Sequence, residues 1–479
     1  MAILARLNGG GASVASTHLS GAPFPVYRAL SAPPNFLSWE DRLIPRSVIV
    51  LAIAAVGFAA LVGTERAASR QSGSSRIVVT YWEKWTGDEM EAMRKVVDGF
   101  NRSQDRIEVK YLSISGIADK TLLATSGGNP PDVAGLWADQ VIQFADAGAL
   151  TDLSELARQS GLTESQYIPS YWRSITYKGK LFALPTSPGT SALYVNRDLM
   201  PEKYNSPEKF PKTLSKFEEM VKEVSVKNPD GTLKVAAFLP RQGYGTGSWP
   251  YLFGGSFEQD GSVKVDSDAD IKAWEWVHSY AKRFGIRETQ SFTSGFGNYS
   301  SPQNPFLSGK LVCYVDGPWF SNFINLFNPN VHWFAVPFPY LDGHPELAGY
   351  TVLNLNTLMI PRGAKHPKEA FEFMAYVQKQ DVMESLCKAQ RCNSPLSAVS
   401  QSFFDTHPNK AIRVFDALAR SPRAFGAAPF GIYNQIGQEV SNAVDLMDLG
   451  QVEPAEALHE AQRRLDKNWA KYKIQVLEP

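Results

Sequence analysis

The sequence predicts an α/β protein built as two lobes, and three observations carry that expectation. At 479 residues the chain is too long for one ordinary core, so two domains or lobes are expected. Its first patterned stretch, from Ile77, runs strand, helix, strand, which implies a parallel pair joined by a right-handed crossover. Apolar strands also end repeatedly at tryptophans, in YWEKW (Trp85), VAGLW (Trp137) and DGPW (Trp319). In open α/β sheets ligands gather in the crevice at the carboxyl ends of strands, so these ends point to a shared cleft.

Composition bounds the function. Lys plus Arg and Asp plus Glu are equal at 48 each, and no basic stripe with interleaved aromatics appears, so no nucleic-acid partner is expected. Several of the 11 tryptophans lie in Gly- or Pro-flanked loops, which hints at displayed aromatic surface, although core anchoring is the commoner use of Trp. The three cysteines have no metal-ligand spacing. Cys313 sits in the apolar run LVCYV and reads as a buried, inert thiol. Cys387 and Cys392 are close enough for a small-loop disulfide in an oxidising compartment, with geometry deciding.

No cofactor or metal is expected. The sequence holds no GxSxG, HExxH, P-loop or Rossmann glycine fingerprint, and its seven histidines are scattered. No Asp/Glu pair is singled out for glycoside hydrolysis. The run Asp266-Ser-Asp-Ala-Asp270 lacks the glycine and terminal glutamate of a calcium loop, so helix capping is the better reading.

In chain order, residues 1–76 form a leader whose one long uncharged apolar run is Ser47 to Gly63, flanked by arginines. Seventeen residues is long for a signal-peptide core and short for a membrane span, so export is expected, with cleavage and tethering both open. The strand Ile77–Trp82 leads into a helix from about Asp88 to Arg102, with Met90, Met93, Val96, Val97 and Phe100 at helical spacing. Ile107, Val109 and Tyr111 alternate as a strand, a short helix spans about 117–125, and Asp132–Trp137 is a strand with Asp139 just beyond. YKGKLFALP and SALYVNRD are strand-like and are joined by the hinge-like TSPGT. A capped helix follows at 213–220, and then a Gly-rich aromatic stretch, Arg241 to Gly255, containing Trp249. A helix spans 269–284, and the strand ending at Gly317-Pro318-Trp319 lets backbone approach a ligand closely. After strand-like 351–360, helices are expected at 366–386, 411–419, 432–447 and 452–471.

Indoles stack on the apolar face of a sugar ring while charged side chains hydrogen-bond its hydroxyl edge. Glu83, Lys84 and Asp139 lie where such edge contacts would be needed, beside Trp85 and Trp137. The competing reading is that these tryptophans fill cores.

With these segments laid out, the chain resembles extracellular solute-binding protein family 1, the maltose-binding-protein-like receptors of ABC carbohydrate importers. The resemblance runs through YWEKWTG, NPPDVAGLWADQ with AGALTDL, YKGKLFALP with ALYVNRDLM, FLSGKLVCYVDGPW, VPFP and TLMIPRGAKHPKEAFEFMAYV, in that order, over about 77–471. It implies a periplasmic-binding-protein-like fold: two α/β lobes, several hinge crossovers, and ligand in the interlobe cleft. By analogy lobe 1 takes 77–186 plus 344–395 and lobe 2 takes 187–343 plus 396–471. Family contacts would fall near Trp85, Trp137, Asp139, Trp249, Gly317, Trp319 and Tyr433. The implied partners are a carbohydrate and the transmembrane permease subunits of an ABC importer, with no chemistry performed on the ligand. The chain departs from the family pattern in its long leader, which permits a membrane tether through 47–63. Readings from other classes are a same-fold receptor for a non-sugar solute, an exported carbohydrate-active enzyme and a tethered sensor.

Overall fold

The computed structural model describes residues 76–474 except Pro429; the apolar run 47–63 therefore lies outside the described residues. No helix among the described residues is long and apolar enough to cross a membrane.

The chain opens as its periodicity requires. Strand β1 (Ile77–Glu83) passes into the helix Gly87–Ser103, which buries Ala92, Met93, Val96, Val97 and Phe100 on one face. Strand β2 (Ile107–Ser113) then returns parallel to β1, in register from Ile77↔Ile107 to Glu83↔Ser113. After the helix Ile117–Ser126, β3 (Val133–Trp137) joins the other side of β1, also parallel. Strand β4 (Ala183–Thr190) is buried along its whole length and hands over through Ser191 to β5 (Ala192–Asn196).

Strand β5 is the centre of a second sheet. It pairs antiparallel with β6 (Cys313–Asp316) on one side and β7 (Trp333–Val336) on the other. Strand β8 (Thr351–Met359) returns to the first sheet, antiparallel to both β3 and β4, with a register shift between Leu355 and Thr357. The two-residue strand β9 (Ala424–Phe425) adds to the start of β8, completing the six-stranded sheet in the order β9-β8-β3-β1-β2 with β4 on β8.

Two sheets, one mixed and one antiparallel, are thus joined where β4 becomes β5 and where β8 begins. At that joint the Thr351 hydroxyl donates to Ser191 O (2.8 Å), and the Ser191 hydroxyl accepts from Val352 N (2.9 Å). A buried joint made of Thr, Ser and backbone leaves no polar group unpaired while adding little bulk at the pivot.

The helix expected over 366–386 is two helices, Pro367–Val377 and Gln380–Ala389. The break has a cause: the Gln378 amide donates to Pro185 O (3.0 Å) and Met374 O (3.2 Å), pinning the corner to β4, and Lys379 is extended. Ser267 and Asp270 form a capping box at the start of Asp268–Phe284, as the capping reading of that acidic run expects. All three cysteines are buried free thiols, so Cys387 and Cys392 are not bridged.

Candidate functional site

A cavity of about 430 Å³ opens at the carboxyl end of β3, where the two sheets meet. Its first wall is Trp137, Ala138 and Asp139, with Arg173, Ser174 and Thr176 further along. Its back is the start of β8, Val352 to Leu355, with 424–428 and Tyr433 beside it. The facing wall is Tyr244, Tyr251, Ser256 and Glu258, from the segments between β5 and β6.

Trp137 ends β3 with 38% of its surface exposed, which is unusual for an indole next to a core. The strand's last pairing is Trp137↔Asn356, and the Ala138 amide donates to Leu355 O (2.9 Å), so the ring is carried on rigid backbone. Lys84 lies over one part of the same ring, 4.8 Å from its centroid, and also over Trp85 at 4.6 Å.

Asp139 is the first residue of the helix Asp139–Asp146, where the helix dipole favours a carboxylate. The amides of Asp139 and Gln140 and the charge of Lys84 stabilise its anion. Enclosure by the surrounding crevice nevertheless outweighs them and raises its pKa above the usual carboxylate value. No side chain among the described residues hydrogen-bonds it, and none pairs with Arg173, further along the same wall. Tyr244 accepts a hydrogen bond from Asn354 Nδ2 (3.1 Å). Burial raises the pKa of both Tyr244 and Tyr433, so both present neutral hydroxyls.

The residues that the sequence singles out separate into three groups. Trp137, Asp139 and Tyr433 line the cavity together. Gly317 and Trp319 stand one layer behind it: the half-buried Trp319 ring meets Tyr244 edge to face at 5.3 Å. Lys84 lies beneath Trp137, with Nζ 3.0 Å from Glu83 Oε1 and 3.3 Å from Gly135 O.

Three expectations need correction. Trp249 is 1% exposed and sits in the core, with Nε1 donating to Pro240 O (2.8 Å) and its ring against Phe238, Trp276 and Phe338. Glu83 is also 1% exposed, and its carboxylate accepts from Tyr81 Oη (2.5 Å), Lys84 N (2.8 Å) and Lys84 Nζ, leaving it no edge to offer a ligand. That inward turn is possible because Gly135 has no side chain: a Cβ there would lie 1.9 Å from Glu83 Oε2. Trp85 is 7% exposed, covered by Lys84, with its carbonyl taken by the Ser113 hydroxyl (2.6 Å).

Arg173, Asn354 and Glu258 complete the walls without having been singled out from sequence. Tyr244 and Tyr251 stood in the noted Gly-rich aromatic stretch; the other three carry no local pattern that separates them from ordinary surface or strand residues.

Residues 95–409 match the family described as bacterial extracellular solute-binding protein, and the chain belongs to that family, whose members work outside the cytoplasm. Curated relatives include the maltodextrin-binding protein MdxE of Bacillus subtilis, 23% identical over 64% of this chain and 69% of its own. Another is the diacetylchitobiose binding protein DasA of Streptomyces coelicolor, 24% identical over 60% of this chain and 66% of its own. An extracellular-binding protein of an ABC transporter in Pyrococcus horikoshii is 23% identical, and the chain spans 66% of its length. Among solved structures, CpMnBP1 with mannobiose bound superposes with a TM-score of 0.71 at 23% identity, covering 81% of this chain and 99% of that one. A cyclo/maltodextrin-binding protein complexed with maltotetraose gives 0.64 at 18% identity, over 83% and 98%. The two-lobed periplasmic-binding-protein fold is therefore that of this chain.

Proposed function

We propose that this chain is a sugar receptor: it captures a short oligosaccharide in the cavity by lobe closure and delivers it to the permease of an ABC importer. The observation that carries the reading is an exposed indole, Trp137, in one cavity with two charged side chains, Asp139 and Arg173, that have no side-chain partner among the described residues. An aromatic face with charged hydrogen-bonding edges is what a pyranose asks for. At about 430 Å³ the cavity lies toward the lower part of the range of about 300–1,000 Å³ for small-molecule sites, which favours a ligand of a few rings over a long chain. The relatives' sugar ligands support the same class.

In this reading lobe 1 is 77–186 plus 344–395 and lobe 2 is 187–343 plus 396–471, with 424–425 contributing an edge strand to the first sheet. Ligand held by Trp137 and Asp139 on one side and Tyr244 and Tyr251 on the other favours the closed state, because those contacts form together only there. The closed shape is what the permease recognises. The receptor works in the periplasm, free or tethered by 47–63, and performs no chemistry on its ligand.

The test is a thermal-shift and calorimetric screen of the full chain against maltose, mannobiose, chitobiose and their longer homologues, with spermidine and a ferric chelate as non-sugar controls. A cognate sugar at a hundred times its Kd stabilises the protein by about 2.7 kcal/mol. Stabilisation by a control ligand and by no sugar would overturn the reading, as would turnover of a chromogenic glycoside.

A further inference from the structure

The backbone carries Trp137 rigidly, yet the ring itself has few partners. Among the described residues no group hydrogen-bonds its indole N–H, and no aromatic ring meets it. Trp249 and Trp319 differ in this. Trp249 donates Nε1 to Pro240 O (2.8 Å) and packs on Phe238, Trp276 and Phe338, while Trp319 meets Tyr244 edge to face. What the Trp137 ring has instead is a cation: Lys84 Nζ lies 4.8 Å from its centroid.

That cation is held from several sides. The Lys84 side chain is 7% exposed, and Nζ donates to Glu83 Oε1 (3.0 Å) and to Gly135 O (3.3 Å). Both bonds spend ammonium donors inside the protein. Nζ also lies 4.6 Å from the centroid of the buried Trp85 ring, so the two indoles flank it. Glu83 is fixed in turn by Tyr81 Oη (2.5 Å) and by the Lys84 amide (2.8 Å). Lys84 takes no part in the cavity wall. The edge contact with a ligand that its place in the sequence suggests is therefore not its position in the fold.

We propose that Lys84 is a positioning residue: it acts on the ligand through Trp137, seating the ring on a buried ammonium and leaving the opposite face to the cavity. A lone indole on a strand end turns about its side-chain bonds and loses that freedom when a ligand stacks on it. A ring drawn onto a fixed cation by its quadrupole has lost that freedom before the ligand arrives. The same charge favours the anion of Asp139, so one buried group serves both cavity residues at the end of β3. The effect on ligand affinity deepens the sugar reading and rests on it. The seating of the ring does not.

The experiment measures the 1H–15N heteronuclear NOE of the indole N–H groups in the 15N-labelled full chain. Trp137 and Trp249 are assigned by the loss of their resonances in Trp137→Phe and Trp249→Phe. This NOE reports motion on the picosecond-to-nanosecond scale. In the unliganded wild type the Trp137 indole should be nearly as rigid as that of Trp249. The double variant Glu83→Gln/Lys84→Met replaces the pair by neutral side chains of similar size and leaves no charge unpaired. It should lower the NOE of Trp137 and leave that of Trp249 unchanged, a pattern that a general loosening of the fold would not give.

In parallel, maltose, mannobiose and chitobiose are titrated calorimetrically into both proteins. The sugar that binds wild type should bind the double variant about fivefold more weakly, the scale of one partly desolvated cation–π contact. A wild-type Trp137 indole as mobile as a surface side chain overturns the proposal, as does an unchanged NOE or wild-type affinity in the double variant. If the double variant does not fold, the wild-type comparison of Trp137 with Trp249 decides alone. If the NOE values behave as expected but none of the sugars binds wild type, the seating stands and the sugar reading falls.

Discussion

Two neighbouring strand ends look alike in sequence and have opposite fates. β1 ends in Glu83-Lys84-Trp85 and β3 in Trp137-Ala138-Asp139, each an indole beside a carboxylate, yet Trp85 is 7% exposed and Trp137 38%. The difference lies in the neighbours. β1 runs between β2 and β3, and both close over its end: Ser113 from β2 bonds the Trp85 carbonyl, while Gly135 of β3 makes room for Glu83. β3 has β1 on one side only; on the other lies β8, whose early residues Val352 to Leu355 become the back of the cavity. Both strands are flanked on both sides, but the end of β1 is sealed by its partners, whereas the end of β3, beside the crossover strand, opens onto the joint. Composition marked both ends as polar and aromatic, and topology decided which of them faces the cavity.

Substitutions can break this contrast, and stability should register the largest effects. Trp249→Ala, which removes the deepest of the four singled-out indoles, should cost about 3–5 kcal/mol in chemical denaturation. Glu83→Gln removes the countercharge of Lys84 within a nearly buried pair, with side-chain exposures of 7% and 1%. A loss of about 3 kcal/mol is expected, since breaking such a pair leaves the remaining charge uncompensated. A near-neutral result for either would place that residue at a surface.

Trp137→Ala should do the reverse. Calorimetry should show the cognate sugar bound at least about tenfold more weakly, about 1.4 kcal/mol, while the unliganded melting temperature stays close to wild type. A large fall in melting temperature with affinity preserved would erase the contrast between the two strand ends.

Two carboxyls sharpen it through pH. Asp316, raised to about 8 in the folded chain, holds its proton where the unfolded chain has released it. Between the ordinary carboxylate pKa and about 8 the folded state therefore binds more protons, so stability falls as pH rises, by about 1.4 kcal/mol per unit from this group. Denaturant melts of Asp316→Asn should lack that slope and gain on wild type toward pH 8. Asp139, also raised by its enclosure, has the same sign over a narrower window just above the usual carboxylate range. Its effect on binding is the smallest expected: Asp139→Asn should weaken sugar binding severalfold at neutral pH and flatten any gain in affinity as pH rises through the Asp139 pKa.

Much of the scaffold was legible because it follows from local periodicity. The apolar spacing of Met93, Val96, Val97 and Phe100 places a helix whatever surrounds it, and that helix is present with those residues buried. The parallel β1–β2 pair follows from having a helix between two strands. The split at Gln378 was not legible, because its cause is a contact with Pro185, almost 200 residues earlier in the chain. Of the residues the sequence singled out, the fold brings Trp137, Asp139 and Tyr433 together in one cavity and buries Trp249, Glu83 and Trp85. Nothing local distinguishes an indole that ends in a core from one that ends in a cleft.

The sequence by itself determined the order of strands and helices, the aromatic and charged character of the strand ends, and the family to which that order belongs. Those properties reside in spacing and residue type, which are fixed before the chain folds. Only the tertiary structure decided which strand end stays open, that Glu83 turns inward against Gly135, and that Asp316 lies buried at the end of β6. Each of these depends on which distant segment comes to lie alongside, and burial is a property of the pair rather than of the residue.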